Sequence, residues 1–236
     1  MISLDWQGID LVVFDVDGTL YDQRRLRFKM VQQLIAHCLR HPGDLRTLRV
    51  ISTFRRCREE LAEKESESIA DLQFLRPAEE LGVEPDAVRR TVEDWLLQRP
   101  LEHLRSCRYA KVAEFMAVLR ANGKQVAVLS DYPAGDKLRA LELEASLAVS
   151  AVDPEVDRLK PHPKGLHRVV ELAGVVPGRA LLVGDRDDRD GECARRAGIS
   201  YLIRSRAPAT DGHQFQDYGE LVRSLHPGRA EEAALQ

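Results

Sequence analysis

The chain has 236 residues, 44% of them hydrophobic and 31% charged, a composition suited to a folded globular protein with one large domain or a core plus a smaller unit. Against 38 Asp and Glu stand 35 Lys and Arg, and the net charge of −3 offers no global field for nucleic acid or an anionic membrane, so neither is expected as a partner. No apolar run reaches the ~18 residues of a bilayer span, and the first residues lack the basic start and long apolar centre of a secretory signal, so the expected location is cytoplasmic. Cys38, Cys57, Cys107 and Cys193 are widely and irregularly spaced, which predicts free thiols rather than a disulfide framework or a thiolate metal site.

In chain order, residues 10–16 (DLVVFDV) form a short apolar run that ends just before Gly18, the pattern of a buried strand opening into a loop. Residues 22–105 are rich in Arg, Glu, Leu and Ala and show helix-length patterns at 30–39, 54–65 and 88–97 without a convincing strand. Breaks are expected at His41, Pro42, Gly43 and Asp44, and again between Gly82 and Pro85. The dense charges of 55–67 read as a solvated helix face. After this insertion, helical patterns at 110–121, 136–143, 164–173 and 191–197 alternate with strand candidates at 125–130, 147–152 (the weakest), 179–185 and 199–203. Residues 227–236 lack an apolar stripe and are expected to fray. The expected fold is α/β, a Rossmann-like parallel sheet covered on both faces, with residues 1–21 and 106–236 as the core and 22–105 as a helical insertion.

An open α/β sheet places its ligand crevice at the carboxyl ends of its strands, so the chemistry should be sought there. The first strand ends in Asp15, Val16, Asp17, Gly18 and Thr19, with two carboxylates two residues apart that can lean into one crevice. Ser130, Asp131 and Tyr132 follow the second strand and offer a hydroxyl and backbone N–H groups. Lys160 follows the third, and Asp185, Arg186, Asp187, Asp188, Arg189 and Asp190 follow the fourth. Taken singly, an Asp-Gly turn, a turn hydroxyl or a surface lysine would account for each. Together they supply acids for a hard cation, donors for an anion and a carboxylate nucleophile. Crowded acids resist joint ionisation, which a divalent cation relieves, and oxygen ligands favour magnesium over zinc.

This ordered set resembles the four motifs of the haloacid dehalogenase superfamily, in its phosphatase branch: DVDGT at 15–19, Ser130, Lys160 and GDRDDRD at 184–190. The helical insertion after the first motif is similar to the family's C1 cap. The resemblance implies a Mg²⁺-dependent phosphomonoester hydrolase acting on a small phosphorylated metabolite through an aspartyl-phosphate, as a monomer or small homo-oligomer. It makes Asp15 the nucleophile, Asp17 the general acid and base, and Lys160 the charge neutraliser. Thr19, Ser130 and Asp131 would hold phosphoryl oxygens, and the metal set would be Asp15, Asp17 through its carbonyl, Asp185 and Asp190, the last placed to orient a metal-bound water. A phosphomutase on the same scaffold and a non-catalytic phosphate-binding regulator are the alternatives; Asp17 argues against a dehalogenase.

Substrate choice is expected to lie in the insertion. Of Arg24, Arg25 and Arg27, one could meet a further anionic group, although a solvated basic run is the simpler reading. Tyr21 is expected at the entrance. His162 and His167 read as loop residues, while Arg186 and Arg189 either add charge near the phosphate or balance Asp187 and Asp188.

Overall fold

Four apolar residues with no polar side chain among them, Leu11–Phe14, form β1, and all four are fully buried. A strand without alternation must be covered on both faces, and the packing divides accordingly. Val12 and Phe14 face Phe115, Leu119 and Tyr218, whereas Leu11 and Val13 face Leu166, Val169 and Cys193. In this computed structural model, which describes residues 4–41, 45–207 and 212–225, β1 is central to a six-stranded, all-parallel sheet. The others are β2 (Gln125–Ser130), β3 (Leu147–Ser150), β4 (Ala180–Gly184), β5 (Ser200–Arg204) and β6 (Gln214–Phe215), in the order β3-β2-β1-β4-β5-β6. The expected α/β class with a Rossmann-like parallel sheet is what the chain adopts. The sequence reading missed β6, whose two residues are too few for a periodicity to show, and the helix that follows it.

Helices α6 (Val112–Ala121), α7 (Gly135–Leu141) and α10 (Tyr218–Leu225) contribute to the apolar layer on one face, and α8 (Lys164–Ala173) and α9 (Glu192–Ala197) to the layer on the other. Phe115 is the hub of the first layer, with its ring centroid 5.8 Å from Trp6, 6.0 Å from Phe14 and 5.8 Å from Tyr218. Phe115→Ala removes every one of those ring contacts and leaves a void. It is expected to cost about 3–5 kcal/mol, read as a lower urea midpoint with an unchanged slope.

Between β1 and β2 the described chain is helical: α1 (Gln23–Arg40), α2 (Leu45–Glu63), α3 (Ile69–Leu81), α4 (Pro85–Val92) and α5 (Leu101–Cys107). The expected pattern at 88–97 straddles a change of winding, because α4 passes at Glu93–Gln98 into a widened, π-type turn. Asp22 starts α1 by accepting the N–H groups of Arg24 (2.9 Å) and Arg25 (3.1 Å). The expected break at Gly82 and Pro85 falls between α3 and α4; of the other, only His41 is described, and Pro42, Gly43 and Asp44, like the tail at 227–236, lie outside the described residues. Val50, Phe54, Phe74, Val88 and Val92 give the helical segment an apolar core of its own.

The segment leaves and rejoins the sheet layer at adjacent points. Asp22 N–H donates to the Cys107 carbonyl at 2.9 Å, Tyr109 N–H to the Leu20 carbonyl at 3.1 Å, and Tyr21 pairs antiparallel with Arg108. All four cysteines are free. Among the described residues, no helix is long and apolar enough to cross a membrane.

Candidate active site

Register alone brings two of the expected acids together. Phe14 is opposite Val183 in the β1–β4 ladder, so the residues just beyond each strand face one another, and Asp15 N–H donates to the Val183 carbonyl at 2.9 Å. The chain then turns at Gly18, whose φ of +101° is a glycine conformation. A Cβ there would lie 2.1 Å from Oδ2 of Asp185, so a glycine lets the first loop close against the fourth strand end. Gly184 serves the other side: a Cβ on it would lie 2.3 Å from the Cβ of Asp190. Carboxylate oxygens of Asp15, Asp185 and Asp190 consequently lie within 4.8 Å of one another.

Lys160 enters this cluster fully buried and donates from Nζ to Oδ1 of Asp15 and, at 2.6 Å, to Oδ1 of Asp190. Thr19 Oγ1 donates to the other Asp15 oxygen at 3.0 Å, which fixes the plane of that carboxylate. Asp190 has both oxygens engaged, since its Oδ2 accepts the backbone N–H of Asp185 at 3.2 Å and of Arg186 at 3.1 Å. It clasps its own loop. Among the described residues no side-chain hydrogen bond of this kind engages the Asp185 carboxylate, which lines the crevice.

One ammonium among three carboxylates leaves excess negative charge, and the proton affinities register it. Burial pushes the Asp15 carboxyl well above its ordinary value, and Asp190 and Asp185 add to the push while Lys160 opposes it. Burial likewise raises Asp185, helped by Asp190, to about 6. Burial by itself disfavours the charged form of Lys160, but Asp15 and Asp190 outweigh it and hold the ammonium firmly protonated. Such a cluster takes up either protons or a hard cation, and the donors on offer, carboxylates with no His or Cys among them, suit a metal of the magnesium type.

Asp17 belongs to a different partnership. Lys137 Nζ bonds both its oxygens, each at 2.6 Å, and the Tyr21 hydroxyl donates to Oδ1. Burial would raise the Asp17 carboxyl, but Lys137 and then Tyr21 win, and it is held below its ordinary value. The sequence reading overlooked Lys137. Its sign was available: Lys137 stands four residues before Leu141, on the buried stripe of α7, where a charge needs a partner. Tyr21, expected at the entrance, lines the crevice from a buried position and donates to Asp17.

Ser130 is buried at the end of β2, and its Oγ accepts Tyr132 N–H at 3.2 Å, leaving its own proton to donate. The Asp131 carboxylate accepts the N–H of Lys160 at 3.3 Å, so what Asp131 can offer an anion is its backbone N–H. His162 Nδ1 accepts Lys164 N–H at 3.2 Å, an ordinary loop role.

A family model for haloacid dehalogenase-like hydrolases matches residues 9–198. The chain belongs to that family. Among solved structures, this haloacid dehalogenase-like hydrolase is similar to a 2-haloacid dehalogenase from Pseudomonas syringae pv. tomato DC3000, with 19% identity, a TM-score of 0.63 and coverage of 93% of this chain and 99% of that one. It is also similar to the Bacillus subtilis HAD-hydrolase YfnB, solved bound to magnesium, with 14% identity, a TM-score of 0.66 and 92% and 98% coverage. At these identities the likeness speaks for the fold. Curated relatives include a phosphoserine phosphatase of Thermus thermophilus, 28% identical over 129 residues (53% of this chain, 50% of the relative), and the phosphoglycolate phosphatase of Escherichia coli K12, 27% identical over 122 residues (50% and 45%). The chain thus aligns with about half the length of these curated relatives.

The hydrolase's crevice continues into a cavity of about 460 Å³ that the helical segment roofs. Here the expectation of a solvated face at 55–67 holds for most of the run, as for Arg56, which pairs with Glu60 and Glu80 at the surface, and fails for Arg58. Arg58 is buried, donates to the Asp131 carbonyl at 2.8 Å and to Gln73, and lies 4.1 Å over the Tyr132 ring. Glu59 reaches Arg189 and, at 3.1 Å, Arg186. One turn of a helix projects successive residues in different directions, which a count of charges does not record. Arg186 also pairs with Asp188, whereas Asp187 pairs with Arg195, and Arg189 donates to the Lys160 carbonyl at 2.8 Å. These arginines therefore brace loops and tie α2 to the core. Of the three early arginines, Arg24 and Arg25 are exposed at the start of α1 and Arg27 alone lines the cavity.

Proposed function

We propose that the protein is a magnesium-dependent phosphomonoesterase that passes the phosphoryl group of a small metabolite through Asp15, with residues 22–105 as a cap domain over a core formed by 1–21 and 106–236. The observation that carries this reading is the Asp15 carboxylate, oriented by Lys160 and Thr19 and set within 4.8 Å of Asp185 and Asp190. The metal would be held by the Asp15 carboxylate, the Asp17 carbonyl and Asp185, with Asp190 as the brace of their loop. When bound, it supplies Lewis-acid polarisation of a phosphoryl oxygen and neutralises the acids around it.

In the first step an Asp15 oxygen forms a bond to phosphorus as the bond to the leaving oxygen breaks, and Asp17 delivers the proton that the leaving oxygen takes. In the second, water gives a proton to Asp17 and attacks phosphorus, and the bond to Asp15 breaks. Ser130 and the Asp131 N–H hold phosphoryl oxygens, Thr19, expected to join them, spends its one hydroxyl proton on Asp15 instead, and Lys160 keeps the nucleophile and the incoming dianion from repelling each other. The resting Asp17 carboxylate is the form the second step needs. The first needs the acid, and the Lys137 ammonium, bonded to both Asp17 oxygens beside the Tyr21 hydroxyl, is the cationic proton source at hand.

Lys137→Met is accordingly expected to lower kcat by about 10²-fold, the lower end of what general acid–base catalysis contributes. Its acid limb should move to higher pH, because Asp17 without its cation reverts toward the value that burial dictates. Lys137→Arg restores the ion pair but not a transferable proton, so it should recover thermal stability without recovering rate. Steady-state pH profiles and melting curves of both variants check this. The functional reading itself is tested by magnesium-dependent release of inorganic phosphate from an aryl phosphate. Transfer to a sugar without release would favour the phosphomutase, and binding without either would favour the regulator.

A further inference from the structure

The cavity has two unlike walls. The core and α2 make one of them from charged groups, and most of these are already committed: Arg58 to Gln73 and the Asp131 carbonyl, Glu59 to Arg186 and Arg189. The facing wall, from α1, the start of α2 and the stretch from the π-type turn to α5, carries Gln23 and Arg27 at the beginning of α1 and is otherwise apolar, with Leu26, Met30, Leu34, Ile51, Trp95 and Leu101. Leu34, Ile51 and Trp95 pack on one another with Met30 against them, so this wall is a continuous patch with its own support rather than scattered side chains. Among the described lining residues, Gln23 is the only side-chain amide or hydroxyl that residues 22–105 contribute.

That inventory bears on the leaving group. A polyhydroxylated alcohol entering a water-poor cleft needs acceptors for its O–H protons as well as donors, at about 1–3 kcal/mol for each one left unmet; of the polar groups that residues 22–105 bring to the lining, Arg27, Arg55 and Arg58 only donate, Glu59 is already paired, and Gln23 is left as the acceptor. An alkyl or aryl body needs none and gains from covering the patch. We propose that the ester this site takes is one whose alcohol is an apolar body of several carbons, seated against Met30, Ile51, Trp95 and Leu101 while its phosphoryl group lies at Asp15. This deepens, and rests on, the phosphatase reading. A cavity of about 460 Å³ falls in the range of small-molecule sites and accommodates a body of that size beside the phosphoryl group.

The test is a chain-length series. With the full-length enzyme and magnesium, kcat/KM should rise by about two- to fourfold for each methylene from methyl to hexyl phosphate, whereas glycerol phosphate, of similar length to butyl phosphate, should fall well below it. Binding is measured in parallel with methyl- and hexylphosphonate, which lack the scissile oxygen, so affinity is read without turnover. Met30→Gln and Leu101→Gln, at half-buried positions that a polar side chain can occupy in a folded protein, should shrink the hexyl-to-methyl ratio several-fold in both readouts, with melting curves confirming the fold. Equal kcat/KM and equal affinity across the series would overturn the proposal while leaving the phosphatase reading standing. Hexylphosphonate bound more tightly than methylphosphonate with no ester hydrolysed would support the apolar seat and overturn the phosphatase reading instead.

Discussion

Asp15→Asn is expected to lower phosphate release by about 10⁴-fold or more, because it removes the atom that would bond to phosphorus and no neighbour can replace it. Of the other carboxylates, Asp17 is tied to Lys137 and Tyr21, Asp190 to Lys160 and its own loop, and Asp185 is the acid that the proposed metal would take up. The substitution should leave the fold intact. It replaces a buried acid by a neutral group of the same shape, and Lys160 keeps Asp190 as a partner. Phosphate release, the melting midpoint and borohydride trapping of the acyl phosphate, present in the wild type and missing in the variant, make the decisive set. Equally slow release by both proteins would mean that Asp15 is not the nucleophile.

Removing the divalent metal with a chelator should act on both rate and stability. The loss of charge neutralisation at the phosphoryl group is expected to cost about 10³-fold or more in turnover. Stability should acquire a pH dependence of definite sign. Asp185 is raised to about 6 in the folded chain from an ordinary value of 3.8, so between those values the folded state holds a proton that the unfolded state has lost. Stability of the metal-free protein must then fall as pH rises through that window, by about 2–3 kcal/mol from this group, and stay low above it. A divalent cation held there would favour the ionised form and cancel the penalty. Melting curves with and without the metal should therefore nearly coincide at pH 4 and separate by pH 7. Identical midpoints at pH 7 would argue that no cation occupies the cluster.

The sheet and the acids at its strand ends were legible in the sequence because each rests on a local rule. An unbroken apolar run of strand length must be buried on both sides, and polar residues at its carboxyl end have one place to point. Asp15, Asp185 and Lys160 could be named from chain position for that reason, and the structure brings them together. What escaped depends on helix rotation and long-range pairing. Lys137 needed the orientation of α7, and Arg58 and Glu59 needed to be told from Arg56 on the same charged run. β6 needed β5 as its template, since two residues do not declare a strand alone. The apolar wall was invisible in the same way: the helix-length patterns at 30–39 and 88–97 do not say which face of each helix meets the crevice.

The neighbouring crossings at Asp22 and Cys107 have an evolutionary corollary. A segment that departs and returns through one doorway can be lengthened, shortened or transplanted at small entropic cost, because closing the gap requires no rerouting of the strands. On the proposed reading, selectivity and bond cleavage would then be written on separable stretches of chain. New specificities can arise by exchanging the helices while the acids at the strand ends stay as they are.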